Sequence, residues 1–155
     1  GLHVTWIPSY GPEMRGGTAH CTVVVSDEPI GSPLVRRPQS VVALNLPSFE
    51  KYEQLVKEGG LLVYNESLVP AKPSRAGIRF VPVPGNDIAE ALGNVRMANV
   101  VLLGAYLVAT NMLPLETVET ALDRHLGERQ RKYLDANKQA LRRGAEFARD
   151  LLLAR

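Results

Sequence analysis

The chain has 155 residues, of which 45% are hydrophobic and 22% charged, and its formal net charge is +2. These values are typical of a globular domain with a real core and argue against a disordered or fibrous protein. The small net charge, without basic residues interleaved among aromatics, also argues against nucleic-acid binding. The single cysteine, Cys21, cannot form an internal disulfide or hold a metal alone, which favours a reducing, cytoplasmic compartment.

The first part of the chain is predicted to consist of strands and tight turns. Leu2 to Ile7 and Thr18 to Ser26 are predicted strands, because both are extended apolar runs bounded by turn-forming residues. Asp27-Glu28-Pro29 is a predicted turn into a return strand from Gly31 to Val35. We therefore expect an antiparallel hairpin formed by the second and third of these segments.

A strand-helix-strand unit is predicted next. Val41 to Leu46 is a short apolar run typical of a buried strand, and Ser48 is the predicted cap of a helix that Gly59-Gly60 ends. Leu61 to Tyr64 is the predicted following strand, and the short connections make the two strands parallel. Ile78 to Val83 is predicted to add a further strand to this sheet.

The remaining chain is predicted to be helical. Met97 to Ala109 is apolar around most of its circumference but far shorter than the roughly 20 residues of a membrane span, so we expect a central helix packed on the sheet, with Gly104 allowing close approach. Helices are also expected over Leu115 to Leu126 and from about Glu128 to Leu153. The predicted fold is a three-layer α/β/α domain with a mixed, largely parallel sheet over residues 1–112 and a helical C-terminal extension over 113–155.

One loop combines backbone-permissive residues with a pair of charges beside a strand. Its sequence is Ser9-Tyr10-Gly11-Pro12-Glu13-Met14-Arg15-Gly16-Gly17-Thr18-Ala19-His20-Cys21. Glycine amides without a neighbouring side chain can approach a phosphate closely, and the Arg15 guanidinium offers a planar fork of donors for phosphate or carboxylate. The residue types therefore favour an anion site, although a salt bridge between Glu13 and Arg15 that holds the loop is an equally good interpretation.

The sequence of this loop resembles that of the gamma subunit of the 2-oxoacid:ferredoxin oxidoreductases of the pyruvate, 2-ketoisovalerate and 2-oxoglutarate types. The resemblance covers roughly residues 1–110, and further segments carry it: Val24 to Pro33, Ala43-Leu44-Asn45-Leu46-Pro47-Ser48, Gly59 to Asn65 and Leu92 to Asn99. Family members usually begin with a glycine-rich strand-turn-helix unit. Since this chain opens on an extended segment, we expect that first unit to be missing.

The resemblance implies a non-redox subunit of a larger enzyme. In the family the complex converts a 2-oxoacid oxidatively to an acyl-coenzyme A and passes electrons to ferredoxin, using thiamine diphosphate, magnesium and 4Fe–4S clusters held by alpha, beta and delta-type partners. The gamma chain is associated with assembly and with the coenzyme A side of the reaction. We expect this chain to be inactive alone, to bind no redox cofactor, nucleic acid or membrane, and to contact coenzyme A or a partner subunit through Tyr10, Gly11, Glu13, Arg15, Gly16 and Gly17. The alternatives are an indolepyruvate oxidoreductase subunit and a stand-alone anion or nucleotide-binding module.

Other candidate residues have simpler interpretations. His20 and Cys21 are neighbours on a strand, so their side chains point to opposite faces and cannot form a nucleophile-base pair; a core or interface cysteine is favoured. Asn94 is interpreted as a helix cap, and Arg96 beside it as a less favoured anion contact. Three basic residues cluster near a proline-flanked loop, namely Lys72, Arg75 and Arg79. They could bind the 3′-phosphate of coenzyme A, although a solvated basic loop is the favoured interpretation.

Overall fold

The computed structural model describes residues 1–10 and 19–154. The chain forms two compact units, Gly1–Pro38 and Gln39–Arg155. In the first unit, strands β1 (His3–Tyr10) and β2 (Ala19–Ser26) pair antiparallel along their whole length, from His3 opposite Ser26 to Tyr10 opposite Ala19.

The predicted hairpin partner of β2 is wrong. Residues 31–35 are irregular, and β2 pairs with the preceding strand instead. Pro29 and Pro33 lack the backbone N–H that a strand ladder requires, whereas β1 offers eight paired positions. The apolar content of Val23 to Val25 could not distinguish between these two partners.

The second unit is built on a parallel sheet in the order β3–β4–β5. Its strands are β3 (Ser40–Ala43), β4 (Leu61–Asn65) and β5 (Arg79–Val83), and both strand pairs are parallel. The parallel pairing of β3 with β4 was predicted from the short connections, whereas no orientation was predicted for β5. The mixed α/β class is confirmed, but the single mixed sheet that was predicted is wrong. The antiparallel strands β1 and β2 pair with each other and form a sheet of their own, so the sheet β3–β4–β5 is purely parallel.

Six α-helices belong to the described part of the second unit. They are α1 (Leu46–Glu53), α2 (Gly85–Ala91), α3 (Ala98–Thr110), α4 (Leu115–His125), α5 (Glu128–Arg131) and α6 (Leu134–Leu153). The single long helix expected from Glu128 is thus two helices, because the backbone leaves the regular α-helix at Lys132–Tyr133. Within residues 1–10 and 19–154, no helix is both long enough and apolar enough to cross a membrane.

The predicted cap of α1 is also wrong by one turn. The side chain of Asn45, not Ser48, caps this helix, and its Oδ1 accepts a hydrogen bond from the Ser48 amide at 3.1 Å. Pro47 occupies the first turn, where its missing N–H costs nothing, so the Asn45-Leu46-Pro47-Ser48 sequence is a good helix start. Asn and Ser are comparable caps, which is why the sequence alone did not distinguish them.

Helices cover both faces of the parallel sheet. All five residues of the central strand β4 are buried. Leu61 and Val63 belong to a core cluster with residues of α2, α3 and α6, whereas Leu62 and Tyr64 pack with Phe49 of α1 and its neighbours, the Phe49 and Tyr64 rings 4.9 Å apart edge to face. The alternation along one strand therefore supports the predicted three layers.

Candidate functional site

The two-stranded ribbon of the first unit has an exposed apolar face. Opposite residues on antiparallel strands share a face, so Val4 and Val25, and Trp6 and Val23, lie side by side. Trp6 is 61% exposed and Val4 60%. We call these four residues the ribbon face.

The other side of the ribbon has a different environment. Ile7, Ser9 and Thr22 are partly buried and line a groove of about 440 Å³ together with residues of the segment 33–36. The ribbon therefore has one side that the first unit itself partly covers and one side, the ribbon face, that it leaves in solvent.

An isolated two-stranded ribbon is at best marginally stable in water, and it gains stability when a further layer covers its apolar side. An exposed cluster of three valines and a tryptophan is unusual on a solitary protein and typical of an interaction surface. Trp is also among the residues that contribute most to binding at interfaces. The ribbon face is thus suited to docking another polypeptide.

Cys21 lies on the same ribbon, opposite Pro8. Its thiol is free and the residue is exposed, so the core alternative for this cysteine is wrong and the interface alternative stays a prediction. Successive strand residues point to opposite faces, so His20 projects away from Cys21, as expected from the sequence.

The residues predicted to contact coenzyme A or a partner lie mostly outside the described part of the chain. This applies to Gly11, Glu13, Arg15, Gly16 and Gly17. Tyr10 is the last residue of β1 and pairs with Ala19, the first residue of β2.

The cluster predicted from Lys72, Arg75 and Arg79 is not a combined site. Lys72 and Arg79 are exposed, but the Arg75 guanidinium donates to the backbone carbonyls of Glu53 and Val56 at the end of α1. The guanidinium thereby satisfies carbonyls that the helix end leaves free. Arg75 thus has a structural role at the end of α1.

A buried carboxylate completes this arrangement. Glu53 is 6% exposed, and its carboxylate accepts hydrogen bonds from the Ser74 amide at 2.6 Å, the Ser74 hydroxyl at 3.1 Å and the Arg75 amide at 3.1 Å. This group was not predicted from the sequence, since nothing in the spacing of residues 53 and 74 links them. It fastens the loop before β5 to α1.

A second polar group that the sequence analysis missed lies at the carboxyl ends of the parallel strands. Asn65 is 1% exposed; its amide donates to the Leu44 carbonyl and the Asn86 Oδ1, and its oxygen accepts from the Gly85 amide. This edge is where open α/β sheets commonly bind ligands. Here the Asn65 amide is used internally to tie three strand ends together.

The turn before α3 is partly as predicted. Asn94 accepts a hydrogen bond from the Arg96 amide at 3.1 Å and caps the 3₁₀ turn Val95–Met97, which confirms its role as a cap. The Arg96 side chain is exposed and lines a groove with residues of the C-terminal helices. Among residues 1–10 and 19–154, no three His, Cys, Asp or Glu side chains are placed to hold a metal ion.

Comparison with known proteins decides the family. The family profile described as "Pyruvate ferredoxin/flavodoxin oxidoreductase" matches residues 1–147. The chain belongs to this family. The resemblance noted from the loop and the other segments is thereby confirmed.

Individual relatives agree with this assignment. The chain is 38% identical over 151 residues to the ketoisovalerate oxidoreductase subunit VorA of Methanothermobacter thermautotrophicus, and 36% identical over 145 residues to the 2-oxoglutarate synthase subunit KorC of Methanocaldococcus jannaschii. The gamma subunit of a keto/oxoacid ferredoxin oxidoreductase from Geobacter sulfurreducens superposes with a TM-score of 0.77 at 28% identity, over 95% of this chain and 80% of that one.

The extent of the matches differs between relatives. The alignments cover 97% of this chain with VorA and 92% with KorC, but 31% of the length of VorA and 76% of KorC. The chain thus spans about a third of the ketoisovalerate relative that it matches.

Proposed function

We propose that the chain is the non-redox, gamma-type component of a 2-oxoacid:ferredoxin oxidoreductase and that it joins the complex through the ribbon face. The exposure of Trp6 and Val23 side by side on a two-stranded ribbon is the observation that carries this proposal. Family membership supplies the class of enzyme, and the relatives are named as subunits. The whole enzyme converts a 2-oxoacid to an acyl-coenzyme A with ferredoxin as electron acceptor.

The proposed occupant of the ribbon face is a catalytic polypeptide of the same enzyme. In the VorA relative, the matching part is 31% of a longer chain, so that relative carries further polypeptide covalently joined to the equivalent of this one. A covalent fusion keeps two docked parts at high effective concentration. We therefore assign the ribbon face to a partner that corresponds to the remainder of VorA.

The redox cofactors of the complex do not fit this chain. A 4Fe–4S cluster is held by several cysteine thiolates, and the sequence contains one cysteine. In this proposal alpha, beta and delta-type subunits hold the clusters and thiamine diphosphate with its magnesium, and the complex passes electrons to ferredoxin in the cytoplasm. This chain contributes assembly and, through the loop with Arg15, coenzyme A binding.

The oxoacid is proposed only as a class. The relatives are named for ketoisovalerate, 2-oxoglutarate and pyruvate. The residues that would distinguish these acids belong to the thiamine-binding partners in this proposal.

Affinity purification from the source cell tests the assembly claim. A tagged wild-type chain should co-purify with thiamine-dependent and iron–sulfur polypeptides, and the double variant Trp6→Ser, Val23→Ser should lose them. The matched control is Leu153→Ser, because Leu153 is an 86% exposed apolar residue at the far end of α6 and lies outside the ribbon. Circular dichroism of all three chains should show the same helix content.

Each other outcome has a definite meaning. Retention of the partners by the ribbon variant would contradict docking through the ribbon face. A wild-type chain that recovers no partner would favour the stand-alone binding module. Partners of indolepyruvate type would move the chain to that enzyme of the same family.

A further inference from the structure

The second unit contains a groove that the ribbon proposal does not use. The groove has a volume of about 400 Å³ and lies between the start of α3 and the segment that joins α4 to α6. Its lining combines apolar and polar side chains: Asn94, Arg96, Met97, Leu126, Gln130, Tyr133 and Asn137.

Arg96 is a free cation in this groove. Its side chain is exposed and makes no hydrogen bond or ion pair with any residue in the described part of the chain. The side-chain amide of Gln130 is exposed and likewise makes no hydrogen bond with any residue in 1–10 or 19–154. Tyr133 is 42% exposed and adds an accessible aromatic ring to the lining of the same groove.

The segment next to the groove is strongly basic. Residues 124–132 contain four lysines and arginines and a single acid, Glu128. Arg124, Arg129 and Arg131 form no ion pair with any described residue, and the Lys132 ammonium lies 5.0 Å from the centre of the Tyr133 ring.

The neighbouring helix surface shows the contrast. On α6, Lys138 and Arg142 pair with carboxylates of α4, at 2.8 Å to Asp123 and 2.6 Å to Glu119. Where α4 and α6 pack together, these cations of α6 are paired with carboxylates of α4. The arginines of the groove and of the basic segment form no such ion pair with any described residue. A free cluster of like charges attracts an acidic partner and speeds its association.

We propose that this groove docks an acidic segment of a partner polypeptide, with carboxylates on Arg96 and the basic segment and an apolar side chain against Met97 and Leu126. Arg, Tyr and Met are the residue types enriched at protein interfaces, and the lining contains all three. The cations also extend beyond the groove along residues 124–132, which suits an extended chain better than one small anion. This inference does not depend on the ribbon face, which lies in the other unit.

Titration of the full chain with synthetic peptides tests the proposal. The probe is the peptide EELEE, its charge-reversed counterpart is KKLKK, and the small-anion probe is inorganic pyrophosphate. Binding is followed by NMR through the Arg96 side-chain Nε–H and the Tyr133 ring resonances. EELEE should shift both signals, its affinity should fall with added salt, and KKLKK should not bind.

Two variants locate the site. Arg96→Gln should weaken EELEE binding about tenfold, because one charge-assisted contact is lost. Arg149→Gln is the matched control, since Arg149 is an exposed arginine of α6 that lies twelve residues, roughly 18 Å, beyond Asn137 on the same helix. It should leave the affinity unchanged.

Three results would overturn the inference. Equal affinities of the wild-type chain and the Arg96→Gln variant would show that EELEE binds elsewhere. Pyrophosphate that shifts the groove signals while EELEE does not would make this a small-anion site. A wild-type chain whose Arg96 and Tyr133 signals respond to neither probe would leave the groove without an acidic ligand.

Discussion

Gly104 of α3 and Gly144 of α6 pack each helix against the backbone of the other. A methyl group at Gly104 would overlap the Leu141 carbonyl of α6, and a methyl group at Gly144 would overlap the Val101 carbonyl of α3. The two glycines thus form a reciprocal close contact between the helices that cover one face of the parallel sheet. Close packing at Gly104 was predicted from the sequence, whereas the matching position on α6 was not.

Alanine at either glycine should destabilise the protein. The overlap with a backbone carbonyl cannot be relieved by rotating a side chain, so Gly104→Ala and Gly144→Ala should each lower the free energy of unfolding by about 1–3 kcal/mol. This loss opposes the gain of about 1 kcal/mol that alanine brings to a helix. Urea unfolding followed by circular dichroism measures the free energy of unfolding of each variant. The control is Gly31→Ala, where an added methyl meets no atom within 4 Å, and a stabilised Gly144→Ala protein would contradict the close contact.

The ion pair between α4 and α6 should make stability depend on pH in the acid range. The hydrogen bond from Arg142 holds the pKa of Glu119 below its ordinary value, against partial burial, which raises it. A carboxylate with a lowered folded-state pKa stabilises the protein above its unfolded pKa of about 4.5, and this contribution is lost as the pH falls through the folded-state pKa. The stability difference between wild type and Glu119→Gln should therefore be largest near neutral pH and shrink below about pH 4.5.

Thermal unfolding across this pH range measures that difference. The matched control is Glu146→Gln, because the Glu146–Arg143 pair is exposed on both sides, at 59% and 60%, and water screens it. Its stability difference from wild type should stay small at every pH. If the stability difference between wild type and Glu119→Gln is constant with pH, the Arg142 contact does not favour the ionised carboxylate.

Arg15→Ala should raise the Michaelis constant for coenzyme A in the reconstituted complex. The reason is the sequence Arg15-Gly16-Gly17, which offers a charged fork beside amides that no side chain covers. Loss of one charge-assisted contact costs about 1.5–3 kcal/mol, or roughly ten- to a hundred-fold in affinity. Lysine at this position should restore only part of the lost affinity for coenzyme A, since an ammonium group presents no planar fork.

The same experiment separates ligand binding from assembly. Cluster content and subunit stoichiometry should be unchanged in the Arg15→Ala complex. Dissociation of the complex with unaltered coenzyme A kinetics would make Arg15 an assembly residue.

Much of the second unit was predictable because its signals are local. Apolar runs and short connections predicted the first parallel strand pair, and the apolar character of Met97 to Ala109 predicted the central helix. The cap of α1 was not predictable, since Asn45 and Ser48 are comparable caps three residues apart. The strand partner of β2 was also not predictable, because an apolar run does not indicate which neighbouring segment pairs with it.

The candidate surfaces were less accessible to sequence reasoning. Trp6 and Val23 are neighbours only through the register of β1 and β2, which pairs residues seventeen positions apart. The sequence does not mark this face, because Ile7 in β1 and Val24 in β2 place apolar side chains on the opposite side of the ribbon as well. The groove beside Arg96 likewise depends on where the chain returns after Leu126.

The fluorescence of Trp6 tests the central claim most directly, because Trp6 is the only tryptophan in the sequence and lies on the ribbon face. In the isolated chain its emission should be that of a solvated indole and acrylamide should quench it efficiently. Addition of the tryptophan-free variants of the catalytic subunits should shift the emission to shorter wavelength and protect it from acrylamide. An assembled, active complex in which Trp6 keeps its solvated emission and full quenching would contradict docking through the ribbon face.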